Sequence, residues 1–132
     1  MGELITFVTV DNCIEAIEFY KDVFNAEVIG EITMLENVPG MEQYKGKVGH
    51  ASLKIGDSKL FINDTTVVYP LDEGDRIQLV LELDSEEMLR ETFEKLKFDG
   101  KIVTELTNVF WGALFFSVKD KYGVTWQIYF SH

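Results

Sequence analysis

At 132 residues the chain is long enough for one domain with a buried core, and 46% hydrophobic with 13% aromatic residues is globular, not disordered, composition. Twenty-three acidic residues against twelve basic ones leave a net charge of −11, a field that repels phosphate backbones and argues against nucleic acid as a partner. No apolar run approaches the roughly 18 residues that span a bilayer, no basic-then-apolar leader is apparent, and the one cysteine, Cys13, precludes an internal disulfide, so a reducing, cytoplasmic setting is the simplest expectation.

In chain order, residues 4–10 form a β-branched apolar run suited to a strand. Asn12, with Glu15 three residues on, is a variant of the capping box. Ile14, Ile17, Tyr20, Val23 and Phe24 then recur at helical spacing, and Asn25 is a natural stop. Residues 26–35 return to strand composition. From Glu36 to Lys47 no period is sustained and Pro39-Gly40 punctuates the run, which predicts a long loop of the kind that serves as a lid or a dimer contact. A hairpin follows: His50–Ile55, a turn at Gly56-Asp57, then Lys59–Asn63.

Residues 65–75 read as a connection that keeps Val67, Val68, Tyr69 and Leu71. Beyond it the same order recurs. A strand spans 76–83, and Asp84 with Glu87 three residues on caps a helix whose stripe is Leu89, Phe93 and Leu96. Asp99-Gly100 ends that helix, with Gly100 at the left-handed position. Another strand occupies 101–109, and a closing hairpin turns through Lys119–Gly123. The pattern describes one domain over 1–132 made of two βαβββ modules: the first about 1–64, the second 76–132. Its class is α+β.

Three groups of residues carry a resemblance. Asn12-Cys13, Glu15-Ala16 and Glu18-Phe19-Tyr20 lead to Phe24-Asn25-Ala26-Glu27. His50-Ala51 precedes Ile55-Gly56, and Phe110-Trp111-Gly112 precedes Asp120-Lys121-Tyr122-Gly123-Val124 and Trp126. In this order they resemble the vicinal oxygen chelate superfamily, which includes glyoxalase I, bleomycin-resistance proteins and extradiol dioxygenases, and within it the PhnB-like branch. The resemblance implies two modules whose mixed sheets curve around a cup, with helices on the convex side, and a homodimer.

Metal-dependent members of that superfamily draw His and Glu ligands from the first and last strands of each module. The matching positions here hold Thr6 or Phe7, then Leu60, Phe61 or Ile62, then Gln78, and finally Gln127. Amide oxygens are weak ligands beside imidazole or carboxylate, so the usual divalent set is absent and no cofactor is expected.

Strand alternation assigns His50, Ser52 and Lys54 to the cup, opposite Ala51, Leu53 and Ile55. It also assigns Gln78, Val80 and Glu82 opposite Ile77, Leu79 and Leu81, and Thr125, Gln127 and Tyr129 opposite Val124, Trp126, Ile128 and Phe130. His50 is the one catalytic candidate, as a general base or a ligand contact; the competing reading has it bonding the neighbouring loop and ordering the strand start. Gln78 and Gln127 either contact a ligand or pair with each other. Trp111 is a candidate pocket wall, whereas Trp126 is in phase with the core. Cys13 sits where a helix dipole lowers a thiol pKa, but no base accompanies it, which favours packing.

Two functions fit these residues. One is a metal-independent or atypical small-molecule protein; as an enzyme it would be lyase- or isomerase-like. The other is sequestration of a cationic or aromatic antibiotic without catalysis, which the acidic charge suits.

Overall fold

The β-branched opening run forms strand β1 (Thr6–Val10), beginning two residues later than the sequence pattern does, with Leu4 fully exposed. Helix α1 (Cys13–Phe24), β2 (Glu27–Met34), β3 (Val48–Ile55) and β4 (Ser58–Asp64) follow. This computed structural model describes residues 2–109 and 112–132, and the chain divides into two compact units between Asp72 and Glu73. In the first unit the strands order as β1-β4-β3-β2, with β1 parallel to β4 and the other neighbours antiparallel. The parallel pair encloses the helix and hairpin, since parallel neighbours need a long crossover.

The second unit repeats the plan. It contains β5 (Leu79–Glu82), α2 (Glu86–Leu96), β6 (Lys101–Val109), β7 (Ala113–Lys119) and β8 (Thr125–Ser131), ordered β5-β8-β7-β6 with β5 parallel to β8. The α+β class and the two βαβββ modules are thus as the sequence predicts. No helix among the described residues is long and apolar enough to cross a membrane.

Each helix covers one face of its own sheet. The buried stripe of α1 is Cys13, Ala16, Ile17, Tyr20 and Val23, whereas Ile14, expected in it, is exposed. These residues meet Ala51, Leu53, Leu60 and Ile62 in a buried apolar layer. In the second unit Leu89, Phe93 and Leu96 meet Leu114, Phe116, Val118, Trp126 and Ile128, and the Phe93 and Phe116 rings stand edge to face at 4.9 Å.

The helix ends show where local chemistry departs from expectation. Asn12 accepts from Glu15 N at 3.4 Å, and its amide donates to the Glu15 carboxylate at 2.8 Å, a reciprocal cap. Asn25 adopts φ 55° and its N–H reaches back to Tyr20 O, as a left-handed stop does. In α2, however, the cap is Ser85, not Asp84: its hydroxyl accepts from Met88 N at 3.1 Å. Asp99, not Gly100, takes the left-handed conformation, at φ 56°. Gly100 serves a different need, because a Cβ there would stand 2.6 Å from Lys119 O and 3.2 Å from Leu96 O.

The 36–47 segment is more regular than its composition suggests. After a 3-10 turn at Leu35–Asn37, N–H groups of Val38, Met41, Tyr44 and Lys47 each reach back three residues, to Leu35, Val38, Met41 and Tyr44. Leu35 N donates to Lys47 O at 2.8 Å and closes the base, and Gly46 N donates to Glu36. A three-residue repeat escapes a search for helical or strand periods.

Candidate functional site

On the first sheet, strand alternation sends Ala51, Leu53, Leu60 and Ile62 beneath α1 and leaves His50, Ser52, Phe61 and Phe7 on the helix-free face. The β1–β4 register sets Phe7 beside Phe61, with ring centroids 6.3 Å apart and planes nearly perpendicular. His50 stands edge-on to Phe61 at 4.7 Å and lies 6.0 Å from Phe7. Its Nε2 is 3.2 Å from Ser52 Oγ. Among the described residues the imidazole therefore bonds within its own strand, not to the neighbouring loop.

Tyr69 joins this group from the connection. Thr65 Oγ1 donates to Tyr69 O at 2.6 Å, Thr66 N donates to the same oxygen, and Thr66 Oγ1 accepts from Val68 and Tyr69 N–H. This hydroxyl-bonded turn holds the Tyr69 ring within 7° of parallel to Phe7, at 6.2 Å. Phe7 remains 43% exposed, so the aromatic group is reachable.

At the helix-side end of β4 the buried Asp64 accepts from Cys13 N at 2.9 Å and from Val48 N at 2.7 Å. One carboxylate thus anchors the starts of α1 and β3. Burial pushes the Cys13 thiol up to about 12, and the Asp64 charge adds to the rise. The helix dipole does not prevail, and Cys13 is a packing residue.

On the second sheet the structure brings Gln78 and Gln127 together: Gln127 Nε2 donates to Gln78 Oε1 at 2.6 Å. The expected strand at 76–83 is shortened to β5, because Arg76 and Ile77 bend away; Ile77 is exposed, not core-facing. Gln78 therefore precedes the strand, and its amide also donates to Asp75 O at 3.3 Å. Trp126 is buried as its phase predicts, and its Nε1 donates to Asp120 Oδ2 at 2.9 Å. Asp120 Oδ1 accepts from Tyr122 and Val124 N–H and so shapes the β7–β8 turn, where Gly123 takes φ 87°. Asp75 accepts from the Thr125 hydroxyl at 2.8 Å, and chiefly for that reason its carboxyl is held below the ordinary range, with Lys119 assisting. Trp111 lies outside the described residues.

The positions that the resemblance assigns to metal ligands hold no His, Asp or Glu. In the first unit the candidate ligand positions on the helix-free face hold Phe7 and Phe61, which have no donor atom. In the second, Gln78 Oε1 is taken by the Gln127 amide, which leaves the Gln127 oxygen as the one amide oxygen of the pair not engaged in that bond. Among the described residues no three of His, Cys, Asp and Glu gather as a metal-binding group.

Sequence reasoning singled out His50, Gln78 and Gln127 but not Phe7 or Tyr69 as face residues, nor Asn63, which lies beside Thr9. Phe7 is legible once β1 is paired with β4; Tyr69 depends on a turn built by two threonine hydroxyls, a signal carried only by Thr65-Thr66.

Comparison with known proteins agrees with this architecture. A family model described as the Glyoxalase/Bleomycin resistance protein/Dioxygenase superfamily matches residues 4–128. Protein YjdN of Escherichia coli (strain K12) is 29% identical over 130 residues, covering 89% of this chain and 86% of the relative. A PhnB protein from Bacillus cereus superposes with a TM-score of 0.82 at 27% identity, covering 98% of this chain and 100% of that one. Protein PA1353 from Pseudomonas aeruginosa shares the fold with a TM-score of 0.87 at 23% identity, over 99% and 98% of the two chains. With both modules and the matched span in hand, the chain belongs to the Glyoxalase/Bleomycin resistance protein/Dioxygenase superfamily.

Proposed function

We propose that the protein binds a small molecule on the helix-free face of the first sheet, with an apolar or aromatic part of the ligand against Phe7, and without the divalent-metal set of its metal-dependent relatives. One observation carries this reading: Phe7 is half-exposed yet ringed by Phe61, His50 and Tyr69. Such an arrangement offers a ring both a floor and an edge. The His50–Ser52 couple supplies polar contacts beside it. Binding, not catalysis, is the activity assigned.

A thermal-shift screen over small oxo-acids, neutral aromatics and cationic aromatic antibiotics tests the reading, because a ligand that binds only the native state raises the unfolding midpoint. Aromatic compounds are expected to raise it and Phe7→Ala to remove the effect. A screen in which no class shifts the midpoint, or in which Phe7→Ala leaves every shift intact, contradicts the proposal.

Sequestration of a cationic aromatic antibiotic is a second reading, favoured by the partial exposure of Phe7 and Tyr69 and by the net charge of −11. A homodimer in a reducing, cytoplasmic compartment completes the proposal. It follows the superfamily's habit and the lone buried cysteine. Light scattering that returned only the monomer mass would argue against the dimer.

A further inference from the structure

One row of residues crosses all four strands of the first sheet. Register pairs Ile29 of β2 with Ser52 of β3, Ser52 with Phe61 of β4, and Phe61 with Phe7 of β1. Paired residues share a face, so the row lies on the helix-free side. Its two ends are apolar and open, Ile29 at 39% and Phe7 at 43% exposure. Ser52 is the polar member of the row, half-buried between an aliphatic and an aromatic neighbour.

His50 precedes Ser52 by two residues and shares its face. Its Nε2 stands 3.2 Å from Ser52 Oγ, close enough for a proton to pass. Ring contacts hold the imidazole, which is edge-on to Phe61 at 4.7 Å and 6.0 Å from Phe7. With the ring proton on Nδ1, Nε2 accepts from the Ser52 hydroxyl. A serine hydroxyl bonded to an imidazole nitrogen is the arrangement that activates it as a nucleophile.

Beyond binding, and resting on the reading that this face takes an aromatic small molecule, we propose that Ser52 is a nucleophile with His50 as its general base, acting on aryl esters of short aliphatic acids. The aryl ring lies against Phe61 and Phe7, the acyl chain lies against Ile29, and the carbonyl carbon falls at Ser52 between them. Ser52 Oγ bonds to that carbon, its proton passes to His50 Nε2, and the bond from the carbonyl carbon to the aryl oxygen breaks. The electron pair leaves with the oxygen as a phenolate, which takes the proton from His50. Water then attacks the acyl carbon, giving a proton to His50, and the acid departs as Ser52 Oγ recovers that proton. Ester and water are consumed, acid and phenol are formed, and the balance needs no further reactant. Aryl esters are the class selected because a phenol has a pKa of about 10, so its anion departs readily.

The test uses the full chain with two probes: 4-nitrophenyl acetate, and acetophenone, an aryl methyl ketone without a leaving group. Absorbance follows nitrophenolate release, peptide mass spectrometry of quenched samples locates the acetyl group, and calorimetry measures acetophenone binding. The acetyl-serine is an alkyl ester that hydrolyses more slowly than it forms, so it accumulates. Expected are saturable acetophenone binding, an acetyl group on Ser52, and release slowed about a hundredfold by His50→Gln or Ser52→Ala. The position of the acetyl group in the wild type decides the matter if a variant fails to fold. Acetophenone binding with no acetyl on Ser52, or with acetyl only at other residues, overturns the nucleophile and leaves the binding face standing. An unchanged release rate in His50→Gln overturns the role of His50. Absence of both acetophenone binding and acetylation overturns the reading of the face itself.

Discussion

Asp64 ties a strand end to the first residues of α1 and β3, because its two oxygens accept from Cys13 N and Val48 N in a buried setting. Asp64→Ala strands both N–H groups, and urea unfolding should show a loss of about 3 kcal/mol. The same environment silences Cys13. With its thiol pushed up to about 12 by burial and then by Asp64, native protein should resist Ellman's reagent at about pH 8, where an exposed thiol reacts, and should release one equivalent only on unfolding. Asp75 is the complementary case. Its carboxyl is lowered first by the Thr125 hydroxyl and then by Lys119, so the folded state binds its proton less readily than the unfolded chain. The stabilisation is present above the ordinary carboxylate range and is lost as the pH falls through the lowered folded value. Below about pH 4, Asp75→Asn should therefore flatten the acid limb of the stability profile; an unchanged limb would assign that limb to other carboxylates.

At the scale of elements, the ends of the helices carry the sharper tests. Asn25 at φ 55° should lose about 1 kcal/mol on substitution by Ala, and Asn25→Gly should cost less or nothing, because glycine adopts that conformation freely. Gly100→Ala is a different experiment. Its φ is ordinary, but the new methyl would press on Lys119 O and Leu96 O, backbone atoms that cannot step aside, for a loss of about 2–3 kcal/mol in thermal unfolding. Both positions were visible in the sequence as helix stops, yet only Asn25 acts through the conformation that its residue type suggests. The difference lies in packing against β7, a contact that no local pattern encodes. Ser85 replaced Asp84 as a cap for a similar reason: both can accept, and only the chain's entry into α2 decides which side chain meets Met88 N. The 36–47 segment read as a long loop because its turns repeat every three residues, a period shared with neither α-helix nor strand.

At the scale of the molecule, two rounds of strand, capped helix, strand and hairpin were legible because each leaves its own hydrophobic period and turn residues. The faces were legible too: His50 and Gln127 stand opposite buried neighbours, as alternation requires. What escaped was pairing between distant strands. Parallel contact of β1 with β4 makes Phe7 and Phe61 neighbours and joins Thr9 to Asn63, whereas the Gln78–Gln127 pair is one of the two arrangements the sequence left open. Such pairings depend on register across more than forty residues, so the candidate site emerged only with the fold. The proposed aromatic binding face works without a divalent cation. Calorimetric titration of acetophenone into protein stripped with EDTA, with Phe7→Ala alongside, tests it most directly. Binding should be unaffected by the chelator and weakened at least tenfold by Phe7→Ala. Binding abolished by EDTA and restored by a divalent metal, or equal in the wild type and the variant, would contradict it.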